Sequence, residues 1–438
     1  MNVKLAYGRN GLSVSIPESA AVTVIEPLFV PGLPNEAESI RAALRQPIGT
    51  PALRDLLSLR EPVSSEDTVA IVFSDITRPM PNDRVLPVLL AELEQAGVRD
   101  DAIVLINGLA THRRQTDEEL VRMLGAEICR RYRVTQHDAW DEANLVDAAP
   151  NHAGRMLRAN RSYMEASVRI LTGFIEPHFF AGFSGGPKAV LPAITDAESV
   201  TDNHSPAMIV HDKSTWAITH GNPIWEEMHR IASATKPTFL LNVTLNKNKE
   251  ITGVFAGDLT AAHAAGTAFA RQKAMQPVDE PFDIVLTSNS GYPLDLNLYQ
   301  AVKGMSAAAQ IVKQGGDIII AAECWDGLPA HGQYAHLLRE APSMEALYDQ
   351  VMAPGFRSQD QWQVLIQAKI QMKANVHVYA GGLSDDELRD AKVIPCRSIE
   401  ATLAEILARK PDATIAILPE GPQTVPYLVE ERVAGIPE

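Results

Sequence analysis

Thr68-Val69-Ala70-Ile71-Val72-Phe73 is an unbroken apolar run, rich in β-branched residues. A strand with one wet face would alternate apolar and polar residues. This one does not, so it reads as a strand covered on both faces. A Pro-rich loop follows. Then comes Arg84–Ala96, where Val85, Leu86, Leu89, Leu90 and Leu93 fall at helical spacing. The same strand-then-helix unit recurs along the chain. Further strands are expected at Ala102–Ile106, Ser167–Gly173 and Thr238–Val243. A long Ala-rich helix is expected at Leu259–Gln272, with Asp258 as its cap. The Pro-bracketed stretch Pro277–Pro281 reads as a domain boundary. A second alternation follows it, with strands at Phe282–Thr287, Asp317–Ala322, Val376–Ala380 and Thr414–Leu418. Helices are expected at Tyr299–Lys313, Glu345–Met352, Gln359–Met372 and Ile399–Ala408. The expected fold is α/β, with two doubly wound domains and mainly parallel sheets. The expected spans are 1–275 for the N-terminal domain, 282–420 for the C-terminal domain and 421–438 for a tail. In such folds ligands sit beyond the carboxyl ends of strands or between domains.

The length of 438 residues fits two to three domains. With 39 Lys and Arg against 54 Asp and Glu, the formal charge is -15, which argues against a general nucleic-acid or anionic-membrane binder. No apolar run is long enough to span a bilayer, and the first ten residues lack a signal-peptide layout. Cys129, Cys324 and Cys396 lie far apart without a CxxC, so a disulfide framework or thiolate metal site is not expected and a cytoplasmic location is.

Several loops could carry chemistry. Ser74–Pro81 (SDITRPMP) follows the first strand and offers a carboxylate, a hydroxyl and a guanidinium. A capping turn is the alternative. Gly108–Arg114 (GLATHRR) follows the next strand and places His112 where an acid/base could act; a structural or exposed His is the alternative. Glu176–Lys188 (EPHFFAGFSGGPK) concentrates a His, three Phe, three Gly and a Lys. It fails as a P-loop, because Pro187 stands in place of the last glycine and Ala189 in place of Ser/Thr. Glycines would let its backbone approach a ligand. Of His204, His211, His220 and His229, the first two would stand about 10 Å apart on a continuous helix, too far to share one metal. Gln300 and Lys303 share a helical face at i,i+3 and could close on an anion. A solvated face is the alternative.

In order and spacing, the DxTRPxP loop, the THR loop, PHFFAGFSGGPK, the Asn203-His204 pair and the YQAVK helix start resemble the nickel-dependent lactate racemase family. The resemblance runs over nearly the whole chain. It implies two domains with the active site in the cleft between them. It also implies a nickel-pincer nucleotide, a pyridinium mononucleotide whose two sulfur-bearing arms and ring carbon grip nickel. By the resemblance, Lys188 forms the covalent attachment and His204 is the protein ligand to nickel. His112 and His178 are then the catalytic acid/bases, and Asp75, Ile76, Thr77 and Arg78 line the cofactor site. Arg78, Tyr299, Gln300 and Lys303 bind substrate. Ala193 departs from the family pattern, where glycine is more usual.

The implied reaction is racemisation or epimerisation of a 2-hydroxy acid by reversible hydride transfer from C2. Removing that hydrogen as a proton beside a carboxylate would make an unstable dianion, whereas hydride removal with loss of the hydroxyl proton leaves a neutral keto group. Two bases then serve the two hands of the substrate. The implied partners are a small 2-hydroxy acid and the proteins that build the cofactor, with no nucleic acid and no membrane. Competing readings are a Schiff-base enzyme using Lys188, with a pyridoxal-type cofactor, and a non-catalytic nucleotide- or cofactor-binding protein.

Overall fold

The computed structural model describes residues 1–18, 20–58, 68–329 and 331–429. Among them, twelve strands build two main sheets. They are β1 (Ala21–Val24), β2 (Val69–Ser74), β3 (Ile103–Gly108), β4 (Arg133–Gln136), β5 (Val168–Phe174) and β6 (Phe239–Leu245), then β7 (Ile251–Gly257), β8 (Phe282–Ser288), β9 (Val312–Ala321), β10 (Ala374–Tyr379), β11 (Ile394–Pro395) and β12 (Thr414–Leu418). The chain divides into two compact units. One takes residues 29–203 and 211–271; the other takes 1–28, 204–210 and the chain from Gln272 onward.

In the first unit the sheet order is β7-β6-β5-β2-β3-β4, parallel except for the antiparallel edge strand β7. The chain starts at β2, winds out through β3 and β4, and returns on the other side at β5. The strand order therefore switches between β2 and β5, the position at which ligands bind in doubly wound sheets. The helix Asn82–Gln95 turns Val85, Leu86, Leu89 and Leu93 onto Val69, Ile71, Phe73, Ile103 and Leu105 of the sheet. Each such buried side chain is worth about 1.5–3 kcal/mol, and Leu89→Ala would cost about 2–5 kcal/mol.

In the second unit the order is β11-β10-β9-β8-β12-β1, all parallel. The mainly parallel, doubly wound expectation holds in both sheets. The expected spans differ from the observed units. Residues 1–28 belong with the C-terminal sheet, because β1 extends it beside β12. Leu5, Val14 and Ile16 of the N-terminal hairpin join Ile399, Leu403 and Ile415 in its core, and the Gly8 N–H donates to the buried Asp295 Oδ2 at 2.7 Å. The expected boundary at Pro277–Pro281 overlaps a strand, Met275–Val278, which pairs in parallel with Val425–Leu428, so the start of the expected tail is ordered. The helix expected over Tyr299–Lys313 spans Leu298–Ala309, and Val312 already belongs to β9. Among the described residues no helix is long and apolar enough to cross a membrane.

Candidate functional site

The carboxyl end of β2 carries Asp75, buried directly beyond the strand. Its Oδ1 accepts from Thr77 Oγ1 at 2.7 Å, and its Oδ2 lies 2.7 Å from His112 Nδ1. Burial would raise this carboxyl; His112, then Arg78 and Thr77, outweigh it and hold the group below the usual carboxylate range. An ionised carboxylate can only accept, so His112 Nδ1 carries the proton. His112 reaches this place from the end of β3 through a tight turn, with Ala110 in the left-handed region at φ 52° and the His112 N–H bonded to Leu109 O. Arg78 and Thr77 follow in the same loop, where Nη1 of Arg78 donates to the Thr77 carbonyl. Ile76 and Thr77 are buried.

The carboxyl end of β5 leads to Glu176, whose Oε2 is buried without a hydrogen-bond partner. His178 is buried among Phe179 and Phe180, with ring centroids 4.8 and 4.5 Å away. The Ala181 N–H donates to His178 Nδ1 at 3.3 Å, so a neutral His178 carries its proton on Nε2. The two imidazoles are thus held differently at Nδ1, His112 by a carboxylate and His178 by a backbone N–H.

Lys188 lies on a single 3-10 turn, Gly186–Ala189. Its ammonium stands 5.6 Å from the centre of the Phe180 ring. The glycines before it are needed by the protein itself. Gly185 and Gly186 have φ of 73° and 51°, and a Cβ on them would strike Asn242 Oδ1 at 2.7 Å and the His263 ring at 2.5 Å. On the side where a Cβ would stand, these glycines are packed closely against the unit's own side chains. Asn242 and His263 carry no motif; the only trace in sequence is a polar residue amid the strand run Phe239–Leu245. Ala193, the departure from the pattern, fits because Gly108 has no side chain: a Cβ there would meet Ala193 Cβ at 2.9 Å. The Ala193 carbonyl accepts from Ala110 N–H at 2.9 Å, and its N–H donates to Lys188 O at 3.3 Å. One short segment thus ties the His112 turn to the Lys188 turn.

The remaining expected residues lie in the second unit. His204 is buried, 5.1 Å edge-on from Trp362, and its carbonyl accepts from Gln361 Nε2 at 3.3 Å. The other three histidines of that series belong to the first unit: His211 and His220 are exposed, and His229 Nε2 meets Thr260 Oγ1. Asn297 caps the helix Leu298–Ala309. Tyr299 Oη accepts from Trp362 Nε1 at 2.8 Å. Gln300 is buried with Oε1 lacking a hydrogen-bond partner, and Lys303 is only 7% exposed, so the alternative of a solvated lysine face is overturned. Among the described residues no group of three or more His, Cys, Asp or Glu is placed to hold a metal ion.

The fold is α/β, with two histidines on loops at the strand-order switch of its first sheet. Residues 7–217 match the family model for the lactate racemase N-terminal domain, and residues 278–425 match that for the lactate racemase C-terminal domain. The lactate racemase of Thermoanaerobacterium thermosaccharolyticum is 31% identical over 437 residues, covering 98% of this chain and 100% of its own. That of Lactiplantibacillus plantarum is 33% identical over 389 residues, covering 88% and 90%. The solved lactate racemase apoprotein from T. thermosaccharolyticum superposes with a TM-score of 0.87 at 30% identity, over 97% of this chain and 100% of that one. A protein from Thermotoga maritima, 19% identical with a TM-score of 0.68, covers 91% of this chain and 100% of its own and shares the fold. The chain belongs to the lactate racemase family and is an isomerase of the racemase class.

Proposed function

We propose that the chain is a nickel-pincer-nucleotide-dependent racemase or epimerase of a 2-hydroxy acid, lactate or a close relative. The observation that carries the reading is that two strand-end loops of one sheet each bring a histidine, His112 backed at Nδ1 by the Asp75 carboxylate and His178 buried with the Ala181 N–H on its Nδ1. A substrate hydroxyl needs one group to take its proton and another to give one back. The residues present fit the cofactor: Lys188 offers an amine on a fixed turn, and His204 offers an imidazole, a donor suited to nickel. When bound, the cofactor supplies an acceptor for hydride from substrate C2.

The chain's own residues do the rest. His112 Nε2 takes the hydroxyl proton of one hand of the substrate, and the Asp75 carboxylate behind Nδ1 stabilises the cation that forms. Arg78, in the same loop, suits the substrate carboxylate with its planar fork. His178 faces the oxygen of the other hand. Asp75, Ile76, Thr77 and Arg78 line the cofactor site in this reading. Tyr299, Gln300 and Lys303 are assigned to substrate binding, supported by the buried ammonium of Lys303 and the open acceptor of Gln300. The reading also places the protein in the cytoplasm and makes it dependent on the proteins that build its cofactor.

The test is a panel of single-enantiomer 2-hydroxy acids, including lactate, malate and gluconate, incubated with protein made alongside the cofactor pathway. Expected are bound nickel, a mass adduct on the Lys188 peptide, and racemisation or epimerisation of at least one acid with C2 deuterium retained. Deuterium washing into water, or a pyridoxal-like absorption band without nickel, would overturn it.

A further inference from the structure

β6 runs Phe239-Leu240-Leu241-Asn242-Val243-Thr244-Leu245, and its side chains alternate between the two faces of the sheet. Phe239, Leu241 and Val243 enter the hydrophobic core. Asn242 points to the opposite face and is fully buried. A buried amide in a strand centre is unfavourable unless its polar atoms are bonded. Here they are. Nδ2 donates to the Leu241 carbonyl at 3.1 Å, which fixes which way the amide faces. Oδ1 accepts from the Gly186 N–H at 2.8 Å. Gly173 of β5 sits opposite Asn242 in register. A Cβ at Gly173 would meet Asn242 Nδ2 at 3.1 Å and Gly185 Cα at 3.3 Å, so the bare strand position makes room for amide and loop together. A second buried side chain grips the same loop from the helix Leu259–Ala274. His263 Nε2 donates to the Ser184 carbonyl at 3.0 Å, and its ring fills the space beside Gly186. Burial pushes His263 down to about 4, so it stays neutral and its donor stays in place near neutral pH.

We infer that Asn242, assisted by His263, is the positioning residue of the Lys188 turn: the amide locks the Gly185-Gly186 backbone so that the lysine is presented in one geometry before any ligand arrives. The inference rests on the reading of Lys188 as the attachment point. A polar side chain is costly in the middle of this buried strand, and the side-chain hydrogen bonds of Asn242 go to its neighbour Leu241 and to the Gly186 N–H of that loop, with Gly173 opposite making room for the amide.

The experiment uses the full chain without cofactor or substrate. Acetic anhydride is pulsed onto the protein, and acetylation of Lys188 is followed by peptide mass spectrometry, with exposed Lys236 of the same unit as internal reference. In Asn242→Leu the acceptor is gone, and Lys188 acetylation should speed up about threefold or more, because a loosened turn no longer holds the amine against Phe180. Asn242→Asp keeps an acceptor for the Gly186 N–H but loses the donor to the Leu241 carbonyl, so it should accelerate Lys188 clearly less than Asn242→Leu. Lys236 should not change in either. If Asn242→Leu does not fold, His263→Phe, which removes the link to Ser184, decides the matter with the same expected gain. Wild-type Lys188 rates in both Asn242→Leu and His263→Phe, or equal acceleration in Asn242→Asp, would overturn the assignment. Because no cofactor or hydroxy acid takes part, failure here is separable from failure of the racemisation assay.

Discussion

His112 and His178 are the same residue type at strand ends of one sheet, yet their surroundings differ in kind. The His112 side chain is 26% exposed and leans on a carboxylate, Asp75, at 2.7 Å. His178 is 5% exposed, packed by two phenyl rings, and its Nδ1 is held by a backbone N–H. One ring leans on a charged acceptor and stands partly open; the other is shut in, with its Nδ1 occupied by a backbone donor. The difference teaches that two histidines at equivalent strand ends of one sheet need not be held in equivalent settings.

The largest effects should come from removing either ring. His112→Ala and His178→Ala should each lower racemisation about 10²–10⁴-fold, read by chiral chromatography on cofactor-loaded enzyme. A near wild-type rate in either variant would break the comparison at once. Asp75→Asn is the finer cut. It keeps the shape and removes the charge behind His112, so kcat should fall about 10- to 100-fold with little change in KM. Steady-state kinetics in both directions checks this. An unchanged kcat would mean that the carboxylate does not distinguish the two histidines.

A stability measurement isolates the same carboxylate without turnover. The folded-state value of Asp75 lies below its unfolded value. Its stabilisation is therefore fully present above about pH 4 and is lost as pH falls through the depressed value. Urea midpoints measured downward from pH 5 should fall less steeply for Asp75→Asn than for wild type. Parallel curves would remove the carboxylate from the argument.

The smallest effect is expected away from the histidines, at Asp283 in the second unit. Burial raises that carboxyl, but Lys313 and the Thr414 N–H and hydroxyl outweigh it and bring it to about 2. Lys313 is 43% exposed, so solvent screens the pair and Asp283→Asn should cost only about 0.5–1 kcal/mol. That loss should appear above about pH 4 and vanish towards pH 2, with racemisation unchanged. A large loss of activity would show that the scaffold and the chemistry are not separable in this way.

The strand-and-helix alternation was legible because it is local: TVAIVF and the Leu-rich helix after it declare themselves within about a dozen residues, and most of the later runs fall within a few residues of their elements. The loops that hold His112, His178 and Lys188 were legible because strand ends in a doubly wound fold are where ligands gather. Other features depended on partners distant in sequence. Nothing in Ala21–Val24 announces that it closes the C-terminal sheet, since its partner is Thr414–Leu418 at the far end of the chain. The tautomers of the two histidines follow from single hydrogen bonds to Asp75 and Ala181. Nothing in the glycines before Lys188 announces that Asn242 and His263 occupy the space where their Cβ atoms would stand. Sequence by itself determined which residues could act and on which kind of element each stands, because periodicity and turn chemistry are written over short spans. Tertiary structure decided which nitrogen carries the proton and what holds the lysine turn, because those depend on atoms a few ångströms apart in space and far apart along the chain.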